Sequence, residues 1–263
     1  MIKISVITIT YNAAAVVGRT LDSVFSQTHR AVEHIIVDGA STDQTLTLAF
    51  DYKHRSDVAG CGHEVVITSE PDRGIYDAMN KGLQAAKGDY VVFMNAGDTF
   101  HDERTLERVL GGITELRNSG TPELRPAVIY GDTDIVDSEG RFLRKRHLSV
   151  PDRLTWRSFR NGMLVCHQAF YARQDIARDI PYDLQYRHSA DVDWCIRVMK
   201  EAERRHLPLR RVPGVVADFM DGGNTTQNHR ASLKERFTVM RRHYGLFTTL
   251  TMHAWFIVRA FFR

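Results

Sequence analysis

Three carboxylates in this sequence stand where they could do chemistry. Asp38 follows the apolar run IIV, Asp98 closes NAGD after YVVFM, and Asp191 opens the helical pattern ADVDW. A carboxylate just past the carboxyl end of a buried strand sits where open α/β sheets place their ligands. Such groups bind a divalent cation together with phosphate oxygens, whereas an acid at the mouth of a helix suits proton abstraction. Each has a plainer alternative. Asp38 and Asp98 could be turn formers after strands, and Asp191 and Asp193 could simply complement a helix dipole. Two such residues on one sheet edge, with Tyr11-Asn12 ending a third apolar run, favour a shared crevice.

The elements that must position them alternate. Ile2 to Thr10 (IKISVITIT) is β-rich and apolar, a buried strand. A helix follows on Val16, Val17, Leu21, Val24 and Phe25. Val32 to Val37 is a second strand, after which Ser41 or Thr42 caps a helix with Asp43 in its first turn. Val65 to Thr68 is a third strand. Ser69 to Asp98 then reads as loop, helix, strand, loop. The helix spans Arg73 to Lys87 on Ile75, Met79, Leu83 and Ala86, Lys87-Gly88 caps it with a left-handed glycine, and Tyr90 to Met94 is the strand that delivers Asp98. The β-α-β-α-β-α-β order implies an α/β fold with a mostly parallel sheet and helices on both faces.

Further along, Asp102 caps a helix reaching Asn118. Ala127 to Val136 and Arg141 to His147 flank a hairpin loop, and Met163 to Tyr171 is a strand. Ser189 is the N-cap of a helix to Arg205. Arg210 to Met220 is a strand broken at Pro213-Gly214, Asp221 to Asn224 a flexible loop, and Arg230 to Tyr244 a helix ending at Gly245.

Composition excludes several classes. With 263 residues, 43% apolar and 25% charged, the chain has the makings of a full globular core. A net charge of +3 and no Arg/Lys stripe interleaved with aromatics in the first two-thirds argue against nucleic acid as a partner. Cys61, Cys166 and Cys195 are odd in number and lack metal-ligand spacing, which suits reduced thiols in the cytoplasm. A strand under way by residue 3 leaves no room for a signal peptide. No run reaches the roughly 20 apolar residues of a membrane span. Neither a Gly-x-Gly-x-x-Gly turn nor a P-loop is present, so a nucleotide would bind through carboxylates and a metal.

Taken together, the chain resembles the family 2 glycosyltransferases, which have the nucleotide-sugar-binding GT-A fold. The residues carrying the resemblance are SVITITYN at Ser5 to Asn12, DGASTDQT at Asp38 to Thr45, Ser69 to Gly82, Gly88-Asp89-Tyr90, Asn95 to Asp98, and ADVDW at Ala190 to Trp194. SEPDRGIYDAMNKG is most similar to the branch acting in bacterial O-antigen and exopolysaccharide assembly. The resemblance implies a nucleotide-sugar-binding lobe at 1–100, an acceptor-binding lobe of the same domain at 101–229, and C-terminal helices at 230–263. Thr10, Tyr11 and Asn12 would lie at the nucleotide, with Tyr11 stacking on the base and Asp38 accepting its hydrogen bond. Asp98 would be the metal-binding carboxylate of the family's Asp-x-Asp motif. The family often has three acids in that loop. Here Asn95, Ala96 and Gly97 precede a single Asp98, and Asn95 offers a carbonyl instead.

The expected activity is inverting transfer of a sugar from a nucleoside-diphosphate sugar, UDP-linked by preference, to a glycan or lipid-linked acceptor. Mg²⁺ or Mn²⁺ would neutralise the departing phosphate, and Asp191 would be the base, ahead of Asp193. Asp72, Arg73 and Asn80 are further candidates near phosphate or donor sugar, Asn80 being equally well a helix-packing amide. His167 in Cys166-His167-Gln168 reads either as an acceptor contact or as a satisfied strand histidine. The thinned acidic loop leaves a second class open, a catalytically silent sugar-nucleotide-binding or assembly subunit. The tail, 246–263, shows an apolar face of Phe247, Leu250, Ala254, Ile257, Val258 and Phe261. It would lie on an anionic membrane surface, making the protein peripheral on the cytoplasmic membrane, or dock on its own core or on a dimer partner.

Overall fold

β1 (Ile4–Thr10) and β2 (Val32–Asp38) are buried at every position, as apolar runs covered on both faces must be. They form the middle of a computed structural model that describes residues 1–117, 125–222 and 229–261. Around them lie β3 (Glu64–Ser69), β4 (Tyr90–Phe93), β5 (Thr99–Phe100), β6 (Val128–Val136), β7 (Phe142–Lys145), β8 (Phe170–Arg173) and β9 (Leu209–Met220), ordered β3-β2-β1-β4-β8-β6-β9-β5 with β7 on β6. β3, β2, β1 and β4 are parallel. β8 opposes both β4 and β6, and β9 is parallel to β6, so six strands share one direction. The sheet is mostly parallel, with one reversed strand joining its two halves.

Register does the positioning. Thr10 pairs with Asp38, and Asp38 with Ser69, so three polar residues stand side by side on the carboxyl edge. α1 (Ala14–Phe25) and α2 (Thr45–Ala59) cover one face, where Val17, Leu21, Ile36, Ala49, Tyr52 and Val65 form a cluster. α3 (Ile75–Ala85), α4 (Thr105–Arg117), α5 (Gln174–Ala177) and α6 (Ala190–Arg204) complete the layers. Trp194 on α6 is wholly buried among Phe93, Phe170 and Tyr182. Each large apolar side chain sealed this way contributes about 1.5–3 kcal/mol. α6 is thereby fixed against the parallel half.

Several local expectations change. α3 starts after Gly74 and ends at Ala85, because Ala86 is already extended at ψ 132°. Gly88 is absent from the left-handed residues. It is needed for close approach: a Cβ there would stand 2.7 Å from the Ser5 backbone nitrogen. Ser41 and Thr42 do not cap α2. Asp43 stands ahead of α2 and not in its first turn, its carboxylate tying the Thr45 N–H at 2.9 Å to the N–H of Ala14, the first residue of α1, at 3.0 Å. Met163 to Tyr171 is not one strand but irregular chain, a 3₁₀ turn at His167–Ala169 and then β8. Asn118, and Gly223 and Asn224 of the expected loop, lie outside the described residues.

α7 (His229–Tyr244) and α8 (Leu246–Phe261) form a C-terminal hairpin turned at Gly245. α8 docks through Thr249, Met252, His253 and Phe256, with His253 edge-on to Phe237 of α7. Its apolar face points the other way. Phe247 is 81% exposed and Ile257 61%, with Leu250, Trp255 and Val258 also exposed. Among the described residues no helix is long and apolar enough to cross a membrane.

Candidate active site

Tyr11, the residue after β1, leaves its ring 66% exposed at the edge. Behind it the polar residues bond to one another. Asp38 is fully enclosed, and its two oxygens accept Thr10 Oγ1 at 2.9 Å, the Ser41 N–H at 2.8 Å, Ser69 Oγ at 2.8 Å and Ser41 Oγ. Burial opposes its ionisation, but these donors outweigh burial and hold the carboxyl below its usual range. Asn12 is likewise occupied, its Oδ1 accepting the Thr42 N–H at 2.9 Å while its own N–H donates to Ser41 Oγ at 2.8 Å. Thr10 and Asp38 are therefore engaged within the crevice wall, and Asn12 is exposed beside them. Asp72 has one oxygen engaged and the other open. Its Oδ1 takes the Gly74 N–H at 2.7 Å, while Oδ2 approaches Gly39 so closely that a Cβ there would lie 2.5 Å from it and 3.4 Å from the Tyr11 ring.

The Asn95–Asp98 turn is pinned from α1. Thr20 Oγ1 accepts the Gly97 N–H and donates to the Asp98 carbonyl, both at 2.8 Å. Asp98 is 4% exposed, its carboxylate accepting Gln168 Nε2 at 2.6 Å and the Met220 N–H at 3.0 Å. Burial raises its pKa to about 6 in spite of those bonds. Asn95 Nδ2 lies 3.2 Å from His167 Nε2, and Asn95 Oδ1 is buried without a partner. An orphaned amide oxygen and a carboxylate in one cavity fit a hard divalent cation that takes its other ligands from phosphate.

Asp191 enters from the second half. At the start of α6, its carboxylate accepts the Tyr76 hydroxyl at 3.2 Å and lies 3.6 Å from His167 Nδ1. Burial works against its ionisation, yet His167 and the charge of Arg236 prevail, so the carboxyl is held below its ordinary pKa. His167 thus stands between Asn95 and Asp191, in a 3₁₀ turn and not in a strand. Asp98, Asn95, His167, Gln168 and Asp191 all line one cavity of about 180 Å³. Beside it opens a second of about 540 Å³, sharing Ile75, Tyr76, Arg187 and His188 with the first and adding Arg73, Leu184 and Tyr186. Asp98, Asn95, His167, Gln168 and Asp191 come from three segments of the chain.

The remaining candidates fall elsewhere. Asp193, in the first turn of α6 as expected, is sealed against Arg197 at 2.6 Å and His243 at 2.8 Å, an ion-pair role added to its place at the helix dipole. Asn80 exchanges two bonds with the Tyr182 backbone, at 3.0 and 2.7 Å, and is a packing amide. Arg73 is exposed and paired with Asp77 at 3.1 Å, on the wall of the outer cavity. Sequence reasoning missed Tyr76, Gln168, Arg187 and His188. Tyr76 and Gln168 sit inside motifs already singled out, but their partners lie 115 and 70 residues away.

Comparison with known proteins agrees with this architecture. The family model for glycosyl transferase family 2 matches residues 5–180. A PGL/p-HBAD biosynthesis glycosyltransferase of Mycobacterium bovis (strain BCG / Pasteur 1173P2) is 34% identical over 220 residues, 83% of this chain and 77% of its own. The amylovoran biosynthesis glycosyltransferase AmsB of Erwinia amylovora is 29% identical over 207 residues, 76% of this chain and 64% of that one. Among solved structures, S. aureus TarS 1-349 in complex with UDP superposes with TM-score 0.67 at 17% identity, over 99% of this chain and 72% of that one. The mannosyltransferase PcManGT of Pyrobaculum calidifontis, in complex with GDP-Man and Mn²⁺, gives 0.63 at 19%, over 96% and 70%. These two likenesses are of fold. The family match, spanning most of the parallel sheet and the Asp98 loop, together with the mycobacterial relative that extends well past it, means that this chain belongs to glycosyl transferase family 2.

Proposed function

We propose that the protein is an inverting glycosyltransferase that moves a sugar from a nucleoside-diphosphate sugar, preferably a UDP-sugar, to a glycan or lipid-linked acceptor in surface polysaccharide assembly. One observation carries the reading: Asp98, in the loop after β4, and Asp191, at the start of α6, line the same cavity. Tyr11 stacks on the base, and the open oxygen of Asp72 accepts an imide N–H of the base. Asp38, Thr10 and Asn12 hold that wall in place. Asp98 with Asn95 Oδ1 would hold Mg²⁺ or Mn²⁺, which when bound neutralises charge on the departing diphosphate. The names of the amylovoran and PGL/p-HBAD relatives, and the UDP and GDP-Man complexes of the structural neighbours, support the class of donor and pathway.

Asp191 acts as the general base. Held ionised, it takes the proton of the acceptor hydroxyl, whose oxygen bonds to the anomeric carbon as the bond from that carbon to the phosphate oxygen breaks. Attack from the face opposite the diphosphate inverts the anomeric configuration. His167 and Tyr76 keep the carboxylate aimed into the cavity. The acceptor enters by the outer cavity, between Arg73, Tyr186 and Arg187. The exposed face of α8 rests on an anionic bilayer, where lipid-linked acceptors lie. In the sequence from 229 to 263, Arg230, Lys234, Arg236, Arg241, Arg242, Arg259 and Arg263 are set against Glu235 alone.

Purified protein with Mn²⁺ and UDP-glucose, UDP-N-acetylglucosamine or GDP-mannose should release nucleoside diphosphate from one of them. Release from none of a full panel of nucleotide sugars would falsify the transferase reading.

A further inference from the structure

The start of α6 lacks the cap its sequence advertises. Ser189 occupies the N-cap position, but its hydroxyl makes no capping bond and donates to the Ser232 carbonyl of α7 at 3.2 Å. The N–H groups just ahead of the helix are gathered by a residue 46 to 48 positions away. Glu235 on α7 accepts the N–H of Arg187 at 2.9 Å through one oxygen, and those of His188 and Ser189 at 2.7 and 3.1 Å through the other. A carboxylate holding three main-chain donors at a helix N-terminus is a strong, directional anchor. It also fixes Arg187 and His188 on the wall shared by both cavities.

Two turns further along α7 a second clasp follows. His243 bonds to buried Asp193 at 2.8 Å, and Arg242 pairs with Asp183 at 2.8 Å. α7 is therefore strapped to α6 on both sides of Asp191, once before it and once after. Resting on the assignment of Asp191 as base, we infer that Glu235 is a positioning residue for catalysis. By clamping 187–189 it sets where the Asp191 carboxylate stands in the cavity, although Glu235 itself touches no substrate. A base displaced by about 1 Å loses on the order of a hundredfold in rate.

The test compares Glu235→Ala and Glu235→Gln with the wild type in the full-length protein, using the nucleotide sugar that the wild type turns over with Mn²⁺. In Glu235→Ala, kcat should fall about tenfold or more while UDP affinity stays within about twofold, because the donor wall is untouched. Glu235→Gln keeps an amide oxygen able to accept two of the three N–H groups, and should recover much of the rate. Hydrogen exchange at the Arg187, His188 and Ser189 amides should quicken in Glu235→Ala and less in Glu235→Gln. Wild-type kcat in Glu235→Ala, a Gln variant as slow as the Ala variant, or UDP affinity falling in step with kcat would overturn the inference. So would unchanged exchange at 187–189. If the wild type turns over no donor, the transferase reading fails by itself, and the exchange measurement still decides whether Glu235 holds this segment.

Discussion

Asp98 pays a folding cost for its place in the cavity. Its ordinary pKa of 3.8 is raised to about 6 by burial, so the fold disfavours the ionised form. The sign follows: the penalty is absent below pH 3.8, grows as pH rises, and is complete above about 6. At pH 7.5 without metal, Asp98→Asn should raise stability by up to about 3 kcal/mol, seen as a higher melting temperature, and the gain should vanish near pH 4. Equal melting temperatures for the two proteins at pH 7.5 would contradict this assignment. A second residue-scale outcome concerns the proposed base pocket. Asp72→Ala should weaken UDP binding about tenfold or more by calorimetry, through loss of a charged hydrogen bond; unaltered affinity would remove Asp72 from the pocket. Asp98 and Asp191 were legible from their places after a strand and at a helix start. That the Asp38 oxygens are already engaged was not legible, because their four hydrogen bonds come from Thr10 and Ser69 at the ends of two strands and from Ser41 in a loop, which spacing does not reveal.

Among the elements, the parallel half was the easier to foresee, because each of its strands is an apolar run delimited by polar residues. The errors fell where tertiary contact overrides local preference. Lys87-Gly88 has the look of a helix cap, yet the glycine serves the approach of that turn to β1. Gly88→Ala would press a Cβ against the Ser5 backbone, which cannot rotate away. It should cost about 1–3 kcal/mol, read as a lower denaturation midpoint; an unchanged midpoint would mean the turn is looser than described. His167 was placed in a strand because Met163 to Tyr171 is rich in strand formers. Its true setting, a 3₁₀ turn facing Asp191, depends on partners far along the chain. Ser189 sits where an N-cap should, but its hydroxyl turns to Ser232, while Glu235 holds the three N–H groups ahead of the helix.

At the scale of the whole molecule, the fold brings Asp98 and Asp191 to one cavity, the proposed meeting place of donor and acceptor, and α7 joins the start of α6 to the exposed helix α8. Removing 246–263 should abolish flotation with phosphatidylglycerol vesicles and leave UDP binding intact, since among the described residues none of α8 lines either cavity. Flotation that survives the truncation, or a dimer that dissociates on it without any vesicle binding, would rule out the bilayer as the partner of this face. The central claim is that one diphosphate lies between Asp98 and Asp191, and steady-state nucleoside diphosphate release by Asp98→Ala and Asp191→Asn over a range of donor concentrations tests it most directly. Asp191→Asn should lose about 10²–10⁴-fold in kcat with the donor KM little changed, whereas Asp98→Ala should raise the donor KM as well as lower kcat. Wild-type kcat in Asp191→Asn, or a wild-type donor KM in Asp98→Ala, would contradict the account.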